Sequence, residues 1–371
     1  MLCVQPNLPK SSYERLTQIF FERFNAAALA IYERPLLQLF SINALSGVVI
    51  DIGPDSTEIG PVLDSDVYRY GLRVVPVGAK QCEWYLVNVL KANAALMSQI
   101  KTQISLSERD LDSALFKIVR VAEKEGLIHI SESGGVSVIT QTPIEDEGAL
   151  SNIAAVLVAG KEKAVIEAVG NKKKTAAQEK RAAATAAEKE RQALDLVDLE
   201  VSLPISPDSL STSDAVGTEE RIVTVTLGKE RHRLCDPLFN PTLLNQFRPL
   251  DQRLPEGSIG IDGAVRLAVS AVDHPQRAQL WDGIFLAGDT LKVKSASPVR
   301  SSQVHAMNMR ADLETALSFR LSPFATRDAE TQWPGQPVSL NILKIPAYFA
   351  EFQERGDVLA AFLGACIGAK V

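Results

Sequence analysis

The sequence predicts an α/β fold, because strand-like and helix-like segments alternate along most of its length. Two helical segments open the chain, and three strand candidates then follow one another without a helix between them. A helix comes next, and a second alternation of strands and helices begins after about residue 221. The three consecutive strand candidates are 46–52, 57–63 and 67–77.

The individual elements follow from hydrophobic spacing and from breaker residues. Pro35 lies inside the second helical segment and either kinks it or starts it afresh. Residues 356–371 are apolar and rich in small side chains, which fits a buried helix or a buried strand. The predicted helices are 11–24, 26–41, 80–92, 108–126, 262–272 and 305–318, and the remaining strands are a hairpin in 127–142, a pair in 221–233, 282–287 and 338–345. Three consecutive strands followed by a helix is the opening order of a ribonuclease-H-like unit.

Residues 145–218 differ in composition from the rest of the chain and are predicted to be an insertion. Residues 162–195 are rich in Ala, Lys, Glu and Arg, which favours an exposed helix, and 205–217 are rich in Ser, Asp, Thr and Pro, which favours disorder. Residues 172–174 are three lysines, and Lys180 and Arg181 follow. This cluster fits a nuclear-import signal, a DNA contact or the solvated face of a helix.

Composition excludes several classes of protein. The chain has 371 residues, enough for two domains, and 46% of them are hydrophobic, as in ordinary globular proteins. A net charge of -6 argues against a protein that coats nucleic acid. We also expect no membrane-spanning segment, no secretory signal and no metal cluster, because the apolar runs are short and the four cysteines and four histidines are dispersed.

The segment 47–57 carries the most specific chemical signal. Its apolar strand ends at Asp51, and Gly53 and Thr57 follow. A glycine lets the backbone approach a phosphate, and a carboxylate reaches Mg²⁺ through water, so this turn predicts a nucleotide site. Two residues oppose that prediction: Pro54 donates no N–H, and Asp55 adds a negative charge where a phosphate would lie.

Six segments in order resemble the actin family. Residues 17–25 resemble the helix before its interdomain crossover, and 47–57 resemble its second phosphate loop. The most specific match is 228–241, which resembles the motif "GxERFRxPExLFxP". The others are 260–262, 285–290, similar to the adenosine-loop "SGGT", and 361–369, similar to "VWIGGSILAS". Residues 345–364 are also similar to the divergent nuclear actin-related proteins of fungal SWI/SNF and RSC remodellers, with the ninth actin-related class the nearest we can suggest.

The resemblance implies an actin/Hsp70-like fold with an intact second half, a partial first half and a helical or disordered insertion. It begins about a quarter of the way into the family's pattern, so we expect the first phosphate loop to be absent before Met1. The usual C-terminal helices are likewise expected to be absent after Val371. The implied domains are 1–45 as partial subdomain 1, 46–78 with 246–344 as subdomain 3, 79–245 as subdomain 4 with the insertion at 145–218, and 345–371 as a return to subdomain 1.

The resemblance also implies a degenerate ATP pocket. Its predicted nucleotide contacts are Asp51, Gly53, Thr57, Gly288 and Thr290, with Asp51 holding Mg²⁺ through water or, alternatively, only capping a strand end. Asp289 replaces a family glycine, and it either caps the next helix or crowds the nucleotide.

Catalysis is opposed by Arg34, which aligns with the family's water-positioning Gln. Arg donates hydrogen bonds but accepts none, so it cannot orient a nucleophilic water, although it can bind a phosphate or simply lie at the surface. We therefore expect no cofactor, or ATP and Mg²⁺ bound weakly, and no enzymatic activity.

The expected function is that of a non-catalytic scaffold in a nuclear chromatin-remodelling complex. The resemblance implies two partners, a second actin-related protein and a helix of the remodeller ATPase, with chromatin reached indirectly. The alternative is an actin-like ATPase or nucleotide switch whose first phosphate loop is missing from this gene model.

Overall fold

The computed structural model describes residues 1–103, 108–124, 128, 130, 199–205, 221–288, 309–332, 340–352 and 356–369. Contacts divide the chain into two units, Met1–Gly135 with Glu200–Val371, and Val136–Leu199. Of the second unit, Leu199 alone is described, so nearly all of the described structure belongs to the first unit. The helix predicted at 162–195 lies outside the described residues, as do nearly all of the hairpin at 127–142 and of the connection at 205–217.

Strands and helices alternate in the described residues much as the sequence predicts. The strands are β1 (Leu2–Val4), β2 (Ile31–Glu33), β3 (Gly47–Ile52), β4 (Thr57–Leu63), β5 (Asp66–Val67), β6 (Arg73–Val75), β7 (Leu199–Ile205), β8 (Arg221–Leu227), β9 (Ile284–Ala287) and β10 (Ile342–Leu343). The α-helices are α1 (Lys10–Glu22), α2 (Arg34–Phe40), α3 (Ala79–Lys91), α4 (Ala94–Gln103), α5 (Glu108–Lys124), α6 (Asp236–Phe239), α7 (Ile261–Ser270), α8 (Arg277–Trp281), α9 (Met309–Gln332) and α10 (Gly356–Gly368).

The main sheet has six strands in the order β10-β9-β3-β4-β5, and β6 also pairs with β4. Strands β3 and β4 are antiparallel, whereas β9 lies parallel to β3 and β10 parallel to β9. A meander of strands therefore leads into α3, and the later strands join the opposite side of β3. This arrangement confirms the predicted α/β fold and its ribonuclease-H-like opening.

The central strands are closed to solvent on both faces, which explains why they are continuous apolar runs. Every residue of β3 and of β9 is buried. Val48 and Ile50 point to one face, into a cluster shared with α3, α5 and α7. Val49 and Phe285 lie in a second cluster together with residues of α2 and α10.

The helix α10 packs directly on α2. The sequence is compatible with a helix or a strand over 356–371, and the structure shows a helix. Gly364 sits against the backbone of α2 so closely that an added Cβ would overlap the carbonyl oxygen of Leu37. Small residues in this stretch therefore allow the two helices to approach.

Some local predictions are wrong. The predicted helix 26–41 is instead strand β2 followed by α2, because Ile31–Glu33 pair in parallel with β1 and Pro35 occupies the first turn of a new helix. The pair predicted within 221–233 does not form, since 229–233 are a 3₁₀ helix and β8 pairs with β7. Strand β7 lies within the range predicted to be an insertion. Helix α4 has no counterpart in the prediction.

Helix α1 differs from the other long helices, because none of its residues is buried. Phe21 on this helix and Phe24 just after it are 45% and 70% exposed. Within the part of the chain that the structure describes, no helix combines the length and apolarity required to cross a membrane.

Candidate functional site

The candidate site lies where β3 ends. Side chains alternate between the two faces of a strand, so Asp51 points to the same face as Val49, toward α2. Only 11% of the Asp51 side chain is exposed. In the antiparallel ladder Asp51 lies opposite Glu58 of β4, which brings two carboxylates to the same face of the sheet.

The first turn of α2 supplies the partners of these carboxylates. Arg34 lies 3.3 Å from Asp51, measured from Nη1 to Oδ2, and 3.0 Å from Glu58, measured from Nη2 to Oε2. Gln38 follows one helical turn later on the same face and donates from Nε2 to Asp51 Oδ2 at 3.0 Å. A single helix therefore holds the Asp51 carboxylate with two side chains.

This arrangement changes what Asp51 can bind. A carboxylate next to a guanidinium has its charge balanced within the protein, and a metal ion would have to compete with that partner. Gln38 is 4% exposed, and its Oε1 is buried without a hydrogen-bond partner in the described structure. The site therefore contains one unsatisfied acceptor beside an ion pair.

The turn after β3 is closed onto the start of α3. The amide of Gly53 donates to the carbonyl of Ser56 at 2.9 Å, which tightens the turn. In the other direction, Ala79 N–H donates to the Gly53 carbonyl at 3.0 Å, and Lys80 N–H donates to the Pro54 carbonyl at 2.9 Å. Amides at a helix N-terminus commonly bind anions, but here the loop's own carbonyl groups already occupy two of them.

Close contact between the turn and α3 depends on Gly78. A Cβ at this position would lie 2.7 Å from Ser56 N and 2.8 Å from Asp55 N and would overlap the Gly53 carbonyl oxygen. Lys80 also pairs with Asp55, Nζ to Oδ2, at 3.1 Å. The negative charge that Asp55 brings to the loop is thus balanced by a lysine in the first turn of the neighbouring helix.

Of the remaining predicted nucleotide contacts, Thr57 and Gly288 both contact other parts of the protein. Thr57 is fully buried, and its hydroxyl donates to the Val77 carbonyl at 2.7 Å. Gly288 has a φ of +122°, and a Cβ there would overlap the Ile52 carbonyl oxygen, so a glycine is required where β9 passes the end of β3. Thr290 lies outside the described residues. The nucleotide contacts predicted for all five residues stay predictions.

The structure brings Asp51, Gly53 and Gly288 to the same edge of the sheet and adds residues that sequence reasoning missed. Gln38, Glu58, Gly78 and Lys80 all contact the predicted site. Two of them were within reach of sequence reasoning: Gln38 follows Arg34 at the i,i+4 spacing of a helix face, and a four-residue turn between β3 and β4 aligns Glu58 with Asp51.

The described residues do not fit a magnesium–nucleotide as they stand. Asp51 already has Arg34 and Gln38 as partners, Pro54 has no N–H to offer, and two amides of α3 are used by the loop. Among the described residues, no group of three or more His, Cys, Asp or Glu side chains could hold a metal ion. The feature that does fit a nucleotide site is the close backbone approach of β3, β9 and the start of α3.

A sheet of this order, with a glycine-dependent crevice at the ends of β3 and β9, defines a protein with an actin-like fold. The model of the family described as "Actin" matches residues 1–297, and the chain belongs to the actin family. The resemblance predicted from the six sequence segments is therefore confirmed.

Two relatives from Schizosaccharomyces pombe align with almost the whole chain. One is "SWI/SNF and RSC complexes subunit arp9", 22% identical over 97% of this chain and 64% of its own length. The other is "SWI/SNF and RSC complexes subunit arp42", 20% identical over 96% of this chain and 74% of its own length. A shorter match, 27% identical over 32% of this chain and 30% of the relative, is to "Actin-related protein 7" of Arabidopsis thaliana. The chain thus spans less than two thirds of the length of arp9.

Proposed function

We propose that this chain is a structural actin-related subunit of a nuclear chromatin-remodelling complex and that its actin-like site does not hydrolyse ATP. The relatives that align with almost its whole length carry the names of SWI/SNF and RSC subunits. These names support membership of a chromatin-remodelling complex, and the geometry of the site supports the absence of ATP hydrolysis.

The main observation against ATP hydrolysis is the Arg34–Asp51 ion pair. A guanidinium is permanently protonated and only donates hydrogen bonds, so it cannot accept a hydrogen bond from an attacking water and orient it. Its charge lies 3.3 Å from the one carboxylate predicted to hold Mg²⁺. Magnesium binding would have to displace this pair or accept a second cation beside it, and both cost free energy.

The partners belong to the same proposal. We place a second actin-related protein and a helical segment of the remodeller ATPase against this chain, with chromatin reached through them. An actin-like body that keeps its shape without nucleotide turnover is suited to hold other subunits at fixed positions. A groove that accepts an amphipathic helix is a common mode of recognition.

Calorimetric titration with MgATP tests whether the site has lost its affinity for nucleotide. We expect the purified chain to bind MgATP more weakly than about 10 μM. The variant Arg34→Gln removes the internal cation and restores a side chain that both donates and accepts, so it should bind at least tenfold more tightly, a gain of about 1.4 kcal/mol. The matched control Arg69→Gln removes an arginine that pairs with Glu33 rather than Asp51, and it should leave the affinity unchanged. Tight binding by the unmodified chain would contradict the proposal.

Affinity purification tests the complex. The chain is tagged in the cells that express it, and the associated proteins are identified by mass spectrometry. A remodeller ATPase and another actin-related protein should co-purify at fixed stoichiometry, and the tagged chain should be found in nuclei. Recovery of the chain as a monomer in the cytoplasm would overturn this assignment.

A second candidate, an ATP-binding switch, is favoured by Gln38. Its buried Oε1 lacks a partner among the described residues and lies on the side chain that holds Asp51. A ligand-bound water there would satisfy it. Measured release of phosphate from ATP that disappears in Gln38→Leu and persists in Arg69→Gln would favour this candidate over the scaffold.

A further inference from the structure

A groove of about 760 Å³ lies beside the candidate site, between α3, α5 and residues 248–252. Its apolar lining comes from Trp84, Phe116 and Pro249. Its volume falls within the range that binds small molecules and short peptide segments. Arg34, Gln38 and Asp51 are not among its lining residues.

The aromatic wall is held in place from behind. Trp84 and Phe116 are partly buried and pack against the main core cluster. The ring of Trp84 meets the ring of Phe247 edge to face, with 6.2 Å between the ring centres. A wall supported in this way presents apolar surface without having to order itself when a ligand arrives.

The charges around the groove do not cancel. Lys80 pairs with Asp55 at 3.1 Å, and Arg120 pairs with Glu83 at 3.2 Å, so these four side chains balance one another. Arg248 also lines the groove, is half-buried, and forms no ion pair with any described residue. The lining therefore carries one uncompensated positive charge beside an apolar wall.

We propose that this groove binds an acidic peptide segment that carries a large apolar side chain. The apolar side chain would lie against Trp84 and Phe116, and a carboxylate of the segment would pair with Arg248. Nucleic acid fits less well, because a run of phosphates would face the carboxylates of Asp55 and Glu83, whereas a peptide can place a single carboxylate at Arg248. The site is separate from the pairing of Arg34 with Asp51 and does not depend on the proposed scaffold function.

Fluorescence anisotropy with the full chain tests the proposal. The probe is a fluorescein-labelled six-residue peptide with two phenylalanines, three serines and one aspartate, and its control has the aspartate replaced by asparagine. The acidic probe should bind, and the control should bind at least tenfold more weakly. Equal binding of the two peptides, or no saturable binding of the acidic probe, would overturn the proposal.

Two variants locate the binding. Arg248→Glu should weaken binding of the acidic probe at least tenfold, whereas Arg15→Glu, an exposed charge reversal on α1 outside the groove, should leave it unchanged. Trp84→Leu keeps an apolar side chain but removes the ring, and it should weaken binding several-fold with unchanged circular dichroism. Unchanged affinity in Arg248→Glu would refute the assignment. Saturable binding of a labelled single-stranded oligonucleotide that is tighter than that of the acidic probe and is lost in Arg248→Glu would refute it too, in favour of nucleic acid.

Discussion

The body of the sheet and the polar edge of the candidate site differ in how their groups find partners. In the body, every residue of β3 and β9 is buried, and backbone segments meet so closely that glycines are required. At the edge, Arg34 and Lys80 each neutralise a carboxylate, and Lys80 with Asp55 remains largely exposed. The body therefore has the shape of an actin-like crevice, while the charges at its edge are satisfied within the chain.

This difference indicates which constraint acts on each region. A buried backbone contact has no alternative partner, so a change in the body costs stability whatever the protein does. A polar side chain at the edge can pair with a neighbouring side chain instead of a ligand, and this change costs little stability. Mutations that test the comparison should therefore have large effects in the body and progressively smaller ones toward the edge.

The largest effect is expected for Gly364→Ala in the body. The new Cβ would overlap the Leu37 carbonyl oxygen, so α10 would have to move away from α2. We expect a loss of about 3 kcal/mol in the free energy of unfolding, measured by urea denaturation. Gly263→Ala in α7 is the control: its Cβ would be 3.4 Å from that of Ile259, and an alanine there should stabilise the helix by about 0.5 kcal/mol. Equal stability of the two variants would break the comparison.

A second large effect is expected at a half-buried carboxyl group. Burial and, to a smaller extent, the nearby Glu83 raise the pKa of Glu123 to about 7, although Arg120 opposes both. The folded state thus holds this proton more tightly than the unfolded state, whose pKa is about 4.5, so stability falls as pH rises from 4.5 to 7. Glu123→Gln should be about 2 kcal/mol more stable than the parent chain at pH 8, because each pH unit in that window contributes at most about 1.4 kcal/mol and solvent that reaches the half-buried carboxyl group reduces this.

The same comparison made at pH 4.5 supplies the control for Glu123→Gln. There the carboxyl group is largely protonated in the folded state, so the variant and the parent chain should differ little. Thermal melts at both pH values provide the measurement. A stability difference that does not change with pH would show that the titration of Glu123 is not its cause.

Sequence reasoning predicted the body well, for a physical reason. Continuous apolar runs such as 47–52 and 284–287 have few structural solutions, and their order along the chain is enough to suggest the sheet. Residues 31–33 were wrongly predicted as helix because three residues carry little periodicity and their strand forms only through pairing with β1. The strand β7 was missed because residues 199–205 lie in the range that composition assigns to an insertion, and the strand forms through pairing with β8.

The edge was predictable in its residue types but not in its pairings. Asp51, Pro54 and Arg34 were all identified from the sequence as the residues that decide the chemistry. The sequence could not show that Arg34 pairs with Asp51, because this contact depends on how α2 lies across the sheet. The partners of Thr57 and Gly78 were hidden for the same reason, since each contacts backbone atoms that other elements bring into place.

A moderate effect is expected at the boundary between body and edge. Arg34→Met removes the cation between Asp51 and Glu58 and leaves two carboxylates facing each other across β3 and β4. We expect a loss of about 1.5 kcal/mol in the free energy of unfolding, less than for a fully buried pair, because 30% of the Arg34 side chain is exposed. Millimolar Mg²⁺ should restore part of this loss in the variant and should not stabilise the parent chain. A variant that Mg²⁺ fails to stabilise would show that the two carboxylates do not form a cation site once the arginine is gone.

The smallest effect is expected at the exposed end of the edge. Lys80 and Asp55 form a pair whose side chains are 65% and 64% exposed, and such pairs contribute little because water screens them. Lys80→Ala, Asp55→Ala and the double variant form a cycle, in which the coupling free energy measured by urea denaturation should be below about 0.5 kcal/mol. A coupling above about 1 kcal/mol would mean that this pair locks the turn onto α3. The edge would then contribute to stability as the body does, and the contrast between the two regions would not hold.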